Sequence, residues 1–142
     1  MPDRGPVATA PLDWALSRIG DRWTLLVVEA LMDRPRRFNE LLERVRPIAP
    51  NILTRRLRDL EHDGLAVAVQ YSQRPPRASY ELTRAGLELA GALQLIASWG
   101  AQHGGLGPGE LHSACGTPVE TRRWCPTCDR SVGRSDDEHQ WV

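Results

Sequence analysis

A chain of 142 residues holds one domain with room for a small appendage, and not two full cores. Its 41% hydrophobic and 25% charged residues exclude a disordered protein, and no apolar run approaches the ~20 residues of a membrane helix. Eighteen cations, all of them arginine, balance eighteen carboxylates, so the chain as a whole is not a basic nucleic-acid binder. The balance is local. Residues 34–84 hold eleven arginines against six acids, a net +5, whereas residues 101–142 hold four against six.

Residues 1–11 contain Pro2, Gly5, Pro6 and Pro11 and read as a flexible arm without the apolar stretch of a signal peptide, so a cytoplasmic location is expected. The spacing predicts a short helix over Leu12–Ile19, ended by Gly20, and a second over Arg22–Met32, capped by Asp21. In the second, Trp23, Leu26, Val27, Ala30 and Leu31 recur at intervals of three and four. Pro35 separates it from a third helix, Phe38–Val45, with Phe38, Leu41, Leu42 and Val45 inward. After Pro47 and Pro50, Asn51 is expected to cap a fourth helix over Ile52–Asp63, closed by Gly64. On that helix Leu53, Leu57 and Leu60 fall within about 60° of one another and form the buried stripe. Asn51, Arg55, Arg58 and His62 face away, flanked by Ile52, Thr54 and Arg56.

Beyond Gly64 the pattern turns extended. Leu65–Tyr71 and Ser79–Leu82 read as two strands joined by Ser72–Ala78, a hairpin with Arg74 and Arg77 at its tip. Thr83 starts a fifth helix over Arg84–Trp99, whose apolar belt (Leu87, Leu89, Leu93, Leu95, Ile96, Trp99) is wider than one small core can cover. Residues 101–110 read as a glycine-rich linker and residues 111–142 as a separate segment with a tail.

Three helices, an arginine-faced helix and a hairpin in this order form a winged helix-turn-helix over residues 12–100, mainly α with a small β-hairpin wing. Arg55 and Arg58 can each set a planar fork on a guanine edge, and Asn51 can read adenine or bond a phosphate. Arg36, Arg37, Arg74 and Arg77 are expected on phosphates, with Ile52, Thr54 and Arg56 beside the reading face. The alternative is a merely solvated arginine face.

The blocks IGDRWTLLVVEAL (19–31), RRFNELLERV (36–45), ILTRRLRDLEHDGL (52–65) and PPRASYELTRAG (75–86) resemble the signature blocks of HxlR-type winged-helix transcriptional regulators. The resemblance covers about residues 11–100. It implies a bacterial regulator of double-stranded DNA that works as a homodimer through the first and last helices of the core, on a two-fold site. Several members of that family sense oxidants or electrophiles through a cysteine just before the first helix; here Ala10 takes that place, so this form of sensing is not expected.

All three cysteines fall in the last segment, where His112, Cys115, Cys125 and Cys128 stand as H-x2-C, nine residues, then C-x2-C. Two close pairs across a short loop suit one tetrahedral, structural Zn²⁺ per chain, in a segment that resembles a small zinc ribbon with Val119, Trp124 and Val132 as its core. A disordered tail with reduced thiols, a Cys125–Cys128 redox pair and an iron–sulfur cluster are the alternatives, and a thiol- or metal-responsive switch at this cluster is a further one. His103 and His139 read as exposed rather than as spare ligands. Trp14, Trp23 and Trp99 read as core or dimer interface, with a space for a small aromatic effector between the helices as the other reading. No nucleophile–base arrangement, phosphate loop or open metal position stands in the sequence, so no enzymatic activity is expected. A protein-interaction adaptor that keeps the winged-helix fold is the runner-up function.

Overall fold

The computed structural model describes residues 10–133. Most of the expected arm, the tail and His139 lie outside the described residues. In chain order the elements are α1 (Pro11–Ile19), α2 (Arg22–Leu31), β1 (Arg36–Arg37), α3 (Phe38–Arg44), α4 (Pro50–His62), β2 (Ala66–Gln73), β3 (Pro76–Leu82), α5 (Arg84–Leu87), α6 (Ala90–His103), β4 (Trp124–Cys125) and β5 (Arg130–Ser131). They divide into two compact units, one ending at Leu93 and the other beginning at Gln94.

In the first unit, Asp21 caps α2 by accepting hydrogen bonds from the backbone amides of Trp23 (2.9 Å) and Thr24 (3.1 Å). The helix is buried more fully than its amphipathic pattern implies: Val28 and Thr24 join Val27, Ala30 and Leu31 in the interior, while Trp23 and Leu26 are only half-buried. Against it pack Leu41 and Val45 of the α3 region, the Ile48 turn residue, and Leu53, Leu57 and Leu60 of α4, the stripe expected from their spacing. Each such leucine contributes roughly 1.5–3 kcal/mol by burial.

Asn51 does not cap α4. The helix begins two residues earlier, with Pro50 at its first residue and Ala49 in the extended cap conformation, so Asn51 is already helical. Proline has no N–H for a cap to satisfy and its fixed φ suits a first helical residue. At the other end the Leu65 amide donates to the Leu60 carbonyl (2.8 Å) and the Gly64 amide to Glu61 (3.1 Å), with Gly64 at φ +70. That left-handed cap is why a glycine stands where the chain leaves α4 for the wing.

The wing is a three-stranded antiparallel sheet in the order β1-β3-β2. Its hairpin is longer and its turn tighter than expected, since β2 and β3 pair from Ala66–Leu82 out to Gln73–Pro76 and leave only Arg74 and Pro75 between them. β1 adds Arg36 opposite Tyr80 and Arg37 opposite Ser79. Two residues are too few to show a period-2 pattern, so this strand has no signal in the sequence.

The fifth helix is in fact two. α5 stops at Leu87 and α6 resumes at Ala90, running to His103, so the glycine-rich stretch begins at Gly104 rather than at residue 101. Thr83 anchors α5: its hydroxyl donates to the Gly64 carbonyl (2.6 Å) and accepts from the Gly86 amide (3.2 Å). Gly86 is buried so tightly that a Cβ there would stand 2.2 Å from the Leu65 carbonyl oxygen. In the second unit the Leu106 amide closes the end of α6 on Ala101 (2.9 Å), and two small hairpins follow.

Candidate nucleic-acid interface

α3, the turn through Val45 and Ile48, and α4 form the helix-turn-helix, with both turn residues buried as apolar anchors. The outward arginines of α4 differ in what they touch. Arg55 and Arg58 are exposed and form no ion pair among the described residues. Arg56 turns back to the protein: its guanidinium lies 3.3 Å from Asp59 and 3.8 Å from Asp21, the residue that caps α2. At 3.8 Å the Asp21 contact is an ion pair and not a hydrogen bond, and Arg56 Nε is buried without a hydrogen-bond partner. Among the other expected residues of this helix, Asn51 is exposed at its start and Ile52 packs on the core. The Thr54 hydroxyl donates to the Pro50 carbonyl (3.0 Å).

The two arginines of β1 divide in the same way. Arg36 is held inside the protein, its Nε donating to the Ala30 carbonyl and its terminal nitrogen to both oxygens of Asp33 (3.0 Å each). Arg37 is exposed, its guanidinium 5.2 Å from the Tyr71 ring on β2, while its amide donates to Glu40 (2.7 Å). That amide, and then the Arg34 guanidinium, hold the Glu40 carboxyl below its usual range. Arg74 and Arg77, at the wing turn and the start of β3, are exposed with no ion pair among the described residues. Arg37, Phe38, Tyr71, Arg77 and Tyr80 line a groove of about 580 Å³ between the start of α3 and the wing. Burial, with Glu61 adding to it and Arg58 opposing, pushes the Tyr80 phenol up, so its proton stays on at neutral pH.

Arg46 is exposed in the turn between α3 and α4 without an ion pair among the described residues, and belongs with this set. Its place in the +5 segment was the available signal. Ala10, where the resemblance would put a sensing cysteine, is the N-cap of α1 and offers only its carbonyl, which accepts from the Trp14 amide (3.0 Å). No described helix is long and apolar enough to cross a membrane.

The four expected metal ligands lie in the second unit as two separate pairs. His112 Nδ1 stands 3.2 Å from Cys115 Sγ, and Cys125 and Cys128 share the turn that the Asp129 amide closes on the Cys125 carbonyl (2.9 Å). Among the described residues, no three His, Cys, Asp or Glu side chains stand close enough to share one ion. The Thr117 hydroxyl and amide, then His112, hold the Cys115 thiol below its ordinary range. The Cys128 amide and thiol, then the Thr127 amide, do the same for Cys125, and Cys128 is raised by its neighbour in turn. Val119 and Trp124 are exposed, 48% and 56%, and do not form the small core expected of them; Val132 is half-buried. Hairpins this short have too little surface to enclose a side chain of that size. His103 is exposed, stacked 4.7 Å from the Trp99 ring.

Comparison with known proteins bears on the same features. An HTH-type transcriptional regulator of Mycobacterium tuberculosis is 34% identical over 122 residues, covering 83% of this chain and 77% of that protein. A transcription factor candidate from Pseudomonas aeruginosa has a solved structure that superposes with a TM-score of 0.68 at 31% identity, over 94% of this chain and 92% of that one. The redox regulator HypR in its reduced form gives a TM-score of 0.64 at 31% identity, over 68% of this chain and 96% of that one. The family model described as HxlR-like helix-turn-helix matches residues 18–106, and the chain belongs to that family.

Proposed function

We propose that the protein is a homodimeric, sequence-specific regulator of transcription that sets α4 into the major groove of double-stranded DNA and lays the wing along the backbone. The observation that carries this reading is the sorting of arginines by partner. Arg56 and Arg36 are held by Asp21, Asp59 and Asp33, and so fix α4 and the sheet edge from within. Arg55 and Arg58 stay exposed on the outer face of α4, where a guanidinium fork meets guanine O6 and N7, with Asn51 at the same face for an adenine edge or a phosphate. Arg37, Arg74 and Arg77 stay exposed around the groove beside the wing, and serve phosphates.

The dimer reading rests on apolar surface. α1 exposes Leu12 (70%), Trp14 and Leu16, and α6 exposes Leu95, Ile96 and Trp99 (64%). Faces of this kind on two helices are an aggregation hazard unless a second copy covers them. A cleft of about 360 Å³ bordered by Trp14, Arg18, Asp63, Leu65 and Leu89, in which Arg18 pairs with Asp63 (3.5 Å), is the place we assign to a small aromatic effector.

Selection of bound fragments from random and genomic DNA at physiological salt tests the reading. The expected result is an enriched inverted repeat with half-sites about one helical turn apart. Affinity should fall by roughly 0.9 log units per phosphate contact for each log unit of salt. No enrichment from a folded dimer, with or without cell metabolites, would favour the protein-adaptor reading instead.

A further inference from the structure

We propose that His112, Cys115, Cys125 and Cys128, which stand as two separate pairs with no three side chains sharing one site among the described residues, are drawn together by one tetrahedral zinc ion, which then holds residues 110–133 in their fold. The two pairs are built on one plan. Each sits at the closed end of a small hairpin. The first is closed by the Leu111–Pro118 bridge, with the His112 amide donating to Thr117 (2.9 Å) and the Val119 amide to Glu110 (2.9 Å). The second is closed by the Trp124–Ser131 and Cys125–Arg130 pairs, with the Val132 amide donating to Arg123 (2.8 Å). Within each, the carbonyl of the first ligand residue accepts from the amide four residues on, Gly116 to His112 at 2.7 Å and Asp129 to Cys125 at 2.9 Å. In each, the residue after the second ligand is left-handed, Gly116 at φ 69 and Asp129 at φ 53.

That second angle separates the proposal from a loose thiol-bearing tail. Asp129 is the one non-glycine residue with positive φ among the described residues, and it recurs at the position Gly116 takes in the other pair. Among residues with a side chain, aspartate is one of the few that adopt this conformation readily, so both turns are closed by residues suited to it. Here it closes the turn in which the Asp129 amide reaches the Cys125 carbonyl, the counterpart of the turn that sets His112 Nδ1 3.2 Å from Cys115 Sγ.

Residues 110–133 also have no apolar reason to hold together. None of them is buried, and only Cys125 and Val132 are even half-buried, while Leu111, Val119 and Trp124 are exposed. An isolated two-stranded hairpin is marginal in water, and two of them need a link between them. A Cys125–Cys128 disulfide would staple only the second hairpin to itself, and any disulfide to Cys115 would strand the third thiol. A single ion that takes two ligands from each hairpin links both. The nine residues from Gly116 to Trp124 reach ~30 Å when extended, so the connection does not prevent the two pairs from converging. One imidazole and three thiolates form the donor set of a closed structural zinc site, which leaves no position for a substrate or a reactive water.

The test uses the full chain, purified without chelator, with metal content by elemental analysis and cobalt(II) titration as an optical probe of geometry. The expected result is one zinc per chain, and a cobalt form with tetrahedral d–d bands and thiolate charge transfer. Cys115→Ser and Cys125→Ser should each lose stoichiometric zinc while the winged helix melts as before, and His112→Cys should keep zinc while strengthening the thiolate band. A chain that holds no stoichiometric metal would overturn the proposal, as would full zinc retention in Cys115→Ser. Half an ion per chain, insensitive to His112→Ala and Cys115→Ser, would also overturn it by putting the metal between the Cys125–Cys128 pairs of two copies.

Discussion

The two ends of this chain reach order by different means. Up to Leu93, twelve apolar side chains from α2, α3, α4, β2, α6 and the turn between α3 and α4 close a continuous core, and the polar work of the unit is confined to caps and ion pairs on its surface. Residues 110–133 have defined hairpins and matched turns, yet bury no side chain fully. Burial scales with the number of residues that can face inward, and twenty-odd residues are too few for it to offset the loss of chain entropy. The comparison teaches that the second segment, unlike the first, has no apolar stripe to hold it, which is the role we propose for a shared metal ion.

That difference sets the largest expected effects. Chelation of the proposed zinc ion should leave residues 110–133 open to limited proteolysis while the winged helix stays intact, an all-or-none change read on a gel. If the core is digested at the same rate, the two regions do not owe their order to separate causes. The converse variant is Leu57→Ala, which removes a side chain only 1% exposed and should destabilise the winged helix by ~2–5 kcal/mol in urea unfolding without changing metal content. Loss of zinc in that variant would show that the second unit depends on the first.

The same contrast explains what could be read in advance. Leu53, Leu57 and Leu60 were legible because a helix repeats every 3.6 residues and the spacing declares its face. The closeness of His112 to Cys115 was legible through spacing of another kind, two residues with two between them in one turn, as for Cys125 and Cys128. What escaped was set by tertiary contact. β1 exists only because β3 offers it a ladder, and two residues carry no period of their own. The break after Leu87 follows the close seating of Gly86 on the Leu65 carbonyl, a contact between positions far apart in sequence. The arginines were visible as a charged set, but their division was not. Arg56 and Arg55 are neighbours in sequence, and Arg56 is held inward by Asp59 on its own helix (3.3 Å) together with Asp21 (3.8 Å), thirty-five residues before it, a contact that sequence spacing does not declare.

That division gives a mid-sized effect. Arg55→Ala should weaken binding to the selected site by ~1–3 kcal/mol and relax base choice at one position, measured by titration on the selected site and on its single-base variants. An equal loss on every sequence would move Arg55 from base reading to phosphate contact and would weaken the distinction between the helix face and the wing.

The smallest effect is expected at the wing, and it sharpens the comparison by its form. Arg74 stands in the two-residue turn, exposed and without an ion pair among the described residues, so its removal leaves no buried partner uncompensated. A phosphate contact carries no base information. Arg74→Ala should therefore weaken specific and non-specific DNA alike and lower the salt slope by about 0.9, with the preferred sequence unchanged. Paired measurements of affinity against salt for this variant and for Arg55→Ala would separate the two kinds of contact. A change of slope without a change of specificity belongs to the wing, and a change of specificity on the preferred site belongs to α4. If Arg74→Ala instead alters base preference, the wing enters a groove and reads sequence, and the division of labour between helix and hairpin has to be redrawn.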